Sequence, residues 1–191
     1  MDVRRLRLET QADHEAVEAS FPLMRMGLGR SEYVFCLQRL HGVVAAWEKA
    51  ATGHVGDAIR PEWLRSVVKQ RLRRPMLERD LAHFNVMNVG AGGPVLPEFQ
   101  SISSLLGAMY VMEGSTLGGQ LIGRHVDRVL GLVDGEGSAY FHGHRELTGS
   151  MWREFCGVLE AEIPETDGDA TVAAAKAMFQ MFGAWMQGSK P

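Results

Sequence analysis

The sequence predicts an all-α fold, because apolar residues recur three and four apart through several long segments and no segment alternates strictly over the length of a strand. At 191 residues the chain makes one domain, residues 1–191, long enough to bury a core. The first helix is predicted over about residues 4–20, with Leu6, Thr10, His14, Val17 and Phe21 on one stripe and Pro22 just past its end. Ser31 serves as N-cap of a second helix that runs to about Ala51, where Thr52 and Gly53 punctuate it. Pro61 opens a third segment, in which Arg65, Lys69, Arg71, Arg73 and Arg74 make one face basic before Pro75 interrupts it. Residues 76–84 read as a short helix and residues 88–97 as a Gly- and Pro-rich loop. Ser101 opens a long apolar helix ending near Gly131; a glycine-rich connecting loop follows to residue 143, and the last two helices fall at 147–161 and 169–186.

Composition narrows the functional classes. Apolar residues at 46% and charged residues at 23% match ordinary folded domains and exclude disordered and membrane-embedded chains. Twenty basic against 23 acidic side chains give a net charge of −3, without the positive excess that a nucleic-acid partner requires. Cys36 and Cys156 are too few for a disulfide framework or a four-cysteine metal site, which fits a reducing cytoplasm. The first residues carry charge in place of an apolar leader, and no run reaches 18 apolar residues, so neither secretion nor membrane insertion is expected. The departures from average usage are 22 Gly and 11 Met.

Five of those glycines, Gly107, Gly114, Gly118, Gly119 and Gly123, interrupt a helical pattern of Leu105, Leu106, Met109, Met112, Thr116 and Leu121. Each costs about 1 kcal/mol relative to alanine in a helix interior, so something offsets them. One reading is close helix–helix packing; the other is a kinked backbone that approaches a flat ligand. The stretch GSTLGGQ lacks the lysine of a phosphate loop. His14 supplies a second feature. It lies on the apolar stripe with Glu18 one turn later, where a carboxylate can fix the imidazole tautomer and leave the other ring nitrogen free for a metal. A histidine satisfied within the core is the alternative. The histidines at 41, 54, 83, 125, 142 and 144 form no recognisable site, and His142 and His144 are expected at the surface.

The segment YVMEGSTLGGQLIG, residues 110–123, resembles the distal helix of the heme oxygenase family, and LETQADHEAVE, residues 8–18, resembles its N-terminal helix. Residues 31–48, 73–84 and 174–185 resemble the intervening and closing helices, so the similarity spans nearly the whole chain. The EGSTLGGQ version is most similar to bacterial biliverdin-producing enzymes, including those that accompany bacteriophytochromes. The resemblance implies a helical bundle with heme, both substrate and cofactor, between the first helix and a glycine-kinked distal helix. It implies His14 as the iron ligand with Glu18 as its partner, and Gly114, Ser115 and Gly118 on the catalytic face. Arg7, Tyr110, Arg153 and Phe179 match further heme-binding positions, the arginines for the propionates. Met109 and Met112 are suited to filling space beside a porphyrin.

The implied reaction opens heme to biliverdin with O2 and releases iron and carbon monoxide, the protein supplying orientation and hydrogen bonds. No flavin or nicotinamide fingerprint is present, so electrons come from a separate ferredoxin or reductase, for which Lys69, Arg71, Arg73 and Arg74 offer a docking face; a solvated helix face is the other reading of that run. A bacteriophytochrome is a possible recipient of the product. Two departures stand out. Well-known mammalian members carry an aspartate where this chain has Ser115, and Gln11 stands where some members place a propionate-binding lysine. Glu113 is a candidate replacement carboxylate, but helix geometry turns it from the Gly114 and Gly118 face. A related helical protein that carries or senses heme, or another apolar ligand, without turnover is the alternative function.

Overall fold

The computed structural model describes residues 1–188 apart from 21, 57–59, 88, 91 and 134. Among these there is no strand. The helices are α1 (Val3–Glu9), α2 (Gln11–Ser20), α3 (Arg30–Val55), α4 (Glu62–Lys69), α5 (Arg74–His83), α6 (Ile102–Leu130), α7 (Ala139–His142), α8 (Thr148–Glu162) and α9 (Gly168–Met186). Helix α6 is the central element: α9 lies along it, α7 and α8 cover other flanks, and α2 leans on α9. Helix α3 packs against α4, α5 and α9 on the far side.

Local chemistry explains where the elements start and stop. The predicted first helix is divided at Thr10, whose backbone leaves helical geometry at φ −105°, ψ 2°. Its hydroxyl donates to the Leu6 carbonyl at 2.8 Å, and the His14 N–H still reaches the Thr10 carbonyl at 3.0 Å, so the helical register carries through. Phe21, the last residue of the predicted stripe, lies outside the described residues. The N-cap of α3 is Gly29, not Ser31, because Glu32 reaches back to accept the Gly29 N–H at 3.2 Å. Ser101 does cap α6, accepting from the Ser104 N–H at 3.1 Å. Gly131 ends that helix in the left-handed conformation, φ 68°, where a side chain is disfavoured.

The basic run does not form a helix face. Lys69 ends α4 and Arg74 begins α5, so Arg71 and Arg73 sit in the connecting turn and both point inward, 4% and 3% exposed. Arg71 Nε lies 3.2 Å from the buried Glu113 carboxylate, and its other nitrogens donate to the carbonyls of Val67 and Met151. Glu48 accepts the backbone N–H groups of Arg73 and Arg74 at 2.5 and 2.8 Å, holding the start of α5. A surface on which these arginines meet an acidic electron donor is therefore ruled out for Arg71 and Arg73. They neutralise the interior.

A second buried carboxylate holds α7. Asp80 is fully buried and accepts the N–H groups of Ala139 and Tyr140, each at 2.8 Å. Burial pushes its carboxyl up to about 6, against the pull of those two hydrogen bonds. Because the folded chain holds this proton more tightly than the unfolded one, the stability it contributes is complete below about pH 4 and is lost as the pH rises through 6. The difference in unfolding free energy between wild type and Asp80→Asn is expected to change by about 2 kcal/mol from pH 4 to pH 7, at 1.36 kcal/mol per pKa unit with the unfolded carboxyl already partly ionised at pH 4. Urea titrations across that range check it; a difference independent of pH contradicts it.

Candidate functional site

A cavity of about 1110 Å³ opens between α1 and α2 on one side and α6 on the other. Phe179 and Phe182 of α9, Trp152 and Cys156 of α8, and Tyr140 and Phe141 of α7 close its flanks. The near wall is one helical stripe. Arg4, Arg7, Gln11, His14 and Glu18 all line the cavity at alternating spacings of three and four, the repeat that keeps side chains on one helical face. His14 is 52% exposed, with Nδ1 3.7 Å from Glu18 Oε2. That separation exceeds a hydrogen bond, so the carboxylate faces the imidazole as a charge and does not clamp it. The ring of Phe179 meets His14 edge-on at 5.8 Å and 87°.

The far wall is α6, and its five glycines divide into two groups. A Cβ at Gly107 would sit 2.3 Å from the Thr171 carbonyl oxygen of α9. At Gly119 it would sit 3.0 Å from the Phe141 carbonyl oxygen, and at Gly123 3.2 Å from the His142 ring. These three permit close packing. Gly114, Gly118 and Gly119 line the cavity, so Gly119 does both, while the first two have room: a Cβ at Gly118 meets nothing within 4 Å, and at Gly114 only the Trp152 ring, at 3.7 Å. Both readings of the glycines hold, for different glycines. Helix α6 runs without a break from Ile102 to Leu130.

Ser115 also lines this wall. Its hydroxyl donates to the Met112 carbonyl at 2.7 Å and accepts from Arg73 Nη2 at 3.3 Å. Glu113 faces away from the cavity and pairs with Arg71; burial pushes its carboxyl up while Arg73 and Arg71 hold it down. Tyr110 lines the cavity, and burial pushes its phenol up, opposed by a hydrogen bond with Thr10 and the charge of Arg7. Burial likewise pushes the Cys156 thiol up, so it faces the cavity protonated.

Three expectations are corrected here, and two residues are added. Arg153 is exposed on α8 and does not line the cavity, because the inward stripe of α8 passes through Trp152, Cys156 and Glu160 and Arg153 lies about 100° round from Trp152. Met109 and Met112 are 2% exposed core residues and are not part of the lining. His142 and His144 are partly buried, His142 Nε2 lying 2.7 Å from Asp127 Oδ2. Arg4 and Arg73 are cavity residues that sequence reasoning missed. Arg4 was detectable, since it stands one turn before Arg7 on the His14 stripe.

The sequence matches the model of the heme oxygenase family over residues 3–188. The chain belongs to the heme oxygenase family. It is 29% identical over 152 residues to a heme oxygenase of Xanthomonas campestris pv. campestris, a match covering 78% of this chain and 86% of that protein. Its fold is that of solved heme oxygenases. The structure from Leptospira interrogans aligns at TM-score 0.76 and 17% identity, covering 98% of this chain and 99% of that one. The NO- and CO-bound enzyme from Neisseria meningitidis aligns at 0.74 and 20% identity, covering 96% and 89%. Heme oxygenase-1 of the cyanobacterium Synechocystis, solved in complex with heme, aligns at 0.74 and 17% identity, covering 97% and 91%. As a member of this family the chain is an oxidoreductase whose substrate is heme. Among the described residues no helix is long and apolar enough to cross a membrane.

Proposed function

We propose that this chain, acting as one domain in the cytoplasm, opens heme to biliverdin and releases iron and carbon monoxide. The observation that carries this reading is the bare backbone of Gly114 and Gly118 facing His14 across an open cavity. The residues fit a flat macrocycle: an imidazole on one wall, side-chain-free backbone on the other, and aromatic rings between them. His14 would hold the iron through Nε2, its Nδ1 turned to Glu18. Phe179 braces the imidazole edge. Arg4 and Arg7 would pair with the propionates where α1 meets the cavity mouth, taking over from the absent cation at Gln11. Gln11 instead donates to Glu15 at 2.8 Å.

Heme and O2, with electrons from a separate donor such as a ferredoxin or reductase, supply the redox chemistry. The protein positions, excludes water and holds protons. Burial keeps Tyr110 a neutral phenol, hydrogen-bonded to Thr10 at the cavity wall. Ser115, whose proton is committed to the Met112 carbonyl, is left as an acceptor. Resemblance to enzymes that accompany bacteriophytochromes supports such a photoreceptor as recipient of the bilin.

Hemin titration followed by ascorbate in air tests the reading. A sharp Soret band is expected on binding, then its loss with the appearance of bilin absorption and of carbon monoxide. Bound heme that survives reduction intact overturns the enzymatic reading in favour of a carrier or sensor.

A further inference from the structure

Seven charged or imidazole side chains line the cavity: Arg4, Arg7, His14, Glu15, Glu18, Arg73 and Glu160. Six are exposed; Arg73 alone is buried, at 3% exposure. A buried guanidinium is ordinarily matched by a carboxylate, as Arg71 is by Glu113 one layer behind. Arg73 has no ion pair among the described residues. Its Nη2 donates to two neutral oxygens, the Met112 carbonyl at 2.7 Å and Ser115 Oγ at 3.3 Å, and its guanidinium carbon stands 4.7 Å from the centre of the Tyr140 ring. Glu48 and Glu113 balance it only at a distance, Glu48 spending Oε1 on backbone N–H groups and Glu113 facing Arg71. The turn between α4 and α5 thus delivers a fixed positive charge to the wall of the cavity that holds Ser115.

We propose that Arg73 makes the Ser115 side of the cavity an anion-accepting surface, which favours negatively charged over neutral ligands on the face of a bound heme opposite His14. The inference rests on heme occupying this cavity. The polar group beside Ser115 is therefore a cation, where an aspartate at the Ser115 position would have placed an anion. A guanidinium does not give up its proton at working pH, so Arg73 stabilises charge and orients donors without transferring a proton. The Ser115 hydroxyl, its hydrogen directed at Met112, adds one free acceptor lone pair and no donor of its own.

Fluoride and carbon monoxide separate charge from space. Fluoride is an anion that accepts hydrogen bonds on ferric heme; carbon monoxide is neutral on ferrous heme and occupies the same face. With wild type, Arg73→Met and Arg73→Gln loaded with hemin, both variants are expected to bind fluoride about tenfold more weakly, in the range of one hydrogen bond to a charged group. Carbon monoxide affinity should stay within about twofold, since no charge is involved. Arg73→Gln keeps a donor for the Met112 carbonyl, so it carries the test if the methionine variant does not fold. Arg73→Lys, which retains the charge, is expected to keep most of the fluoride affinity. Unchanged fluoride affinity in hemin-loaded neutral variants overturns the proposal, as does an equal fall for fluoride and carbon monoxide, which would mean displaced α6 backbone. Failure of wild type to take up hemin overturns the heme reading itself.

Discussion

His14→Ala is expected to lose heme turnover by at least about 100-fold while the apoprotein melts within a few degrees of wild type. The two halves of that expectation have separate causes. In the fold His14 does little: it is half exposed, touches Phe179 by an edge, and faces Glu18 across 3.7 Å. An exposed pair of that kind contributes under about 1 kcal/mol. At the cavity it is the imidazole that faces Gly114 and Gly118. Loss of an outer-shell partner already costs about 10–100-fold in metal affinity or activity, and loss of the ligand costs at least the upper end of that range. The space vacated by the ring lies in the open cavity, so millimolar imidazole is expected to restore a Soret band to the variant. Glu18→Gln should cost far less, because its carboxylate lies beyond hydrogen-bond distance. Soret titrations, bilin yield and thermal melts on the three proteins check this; a His14→Ala protein with an unaltered Soret band removes His14 from the site.

What could be read from the sequence depended on whether a residue's role is set locally or by its tertiary neighbours. Arg7, His14 and Glu18 were legible as one face because spacing alone puts them there, although Arg4 on the same face was passed over, and Ser101 announced the start of α6 through its own hydrogen bond. The division of the glycines was not legible. Gly107 and Gly118 follow the same spacing rule, and only the arrival of α9 at one and the cavity at the other separates them. The arginines failed for a related reason. A run read as one helix face puts Arg71 and Arg73 in solvent, whereas the break after Lys69 turns both inward. One signal was present: Glu48 and Glu113 lie among apolar neighbours in α3 and α6, and buried carboxylates demand donors from elsewhere in the chain.

Gly118→Leu and Gly107→Ala are expected to separate heme binding from stability. At Gly118 no atom lies within 4 Å of a Cβ position, so a leucine gains most of the roughly 1 kcal/mol that glycine forfeits in a helix interior, and the apoprotein should melt slightly higher than wild type. The same side chain projects into the cavity where the backbone is otherwise bare, and hemin affinity should fall at least about tenfold, the loss of one good contact, with turnover falling in step. At Gly107 the propensity gain is the same, but the new carbon meets the Thr171 carbonyl oxygen at 2.3 Å. Backbone lies on both sides of that contact, so α6 and α9 must separate, and overpacking of this kind costs about 1–3 kcal/mol. Gly107 does not line the cavity, so Gly107→Ala should lower the melting temperature and leave the hemin affinity of the folded fraction close to wild type. Melts of both apoproteins beside hemin titrations decide the matter: if Gly118→Leu binds and turns over heme normally, the ligand face of α6 lies elsewhere, and the division of its glycines into packing and binding positions is wrong.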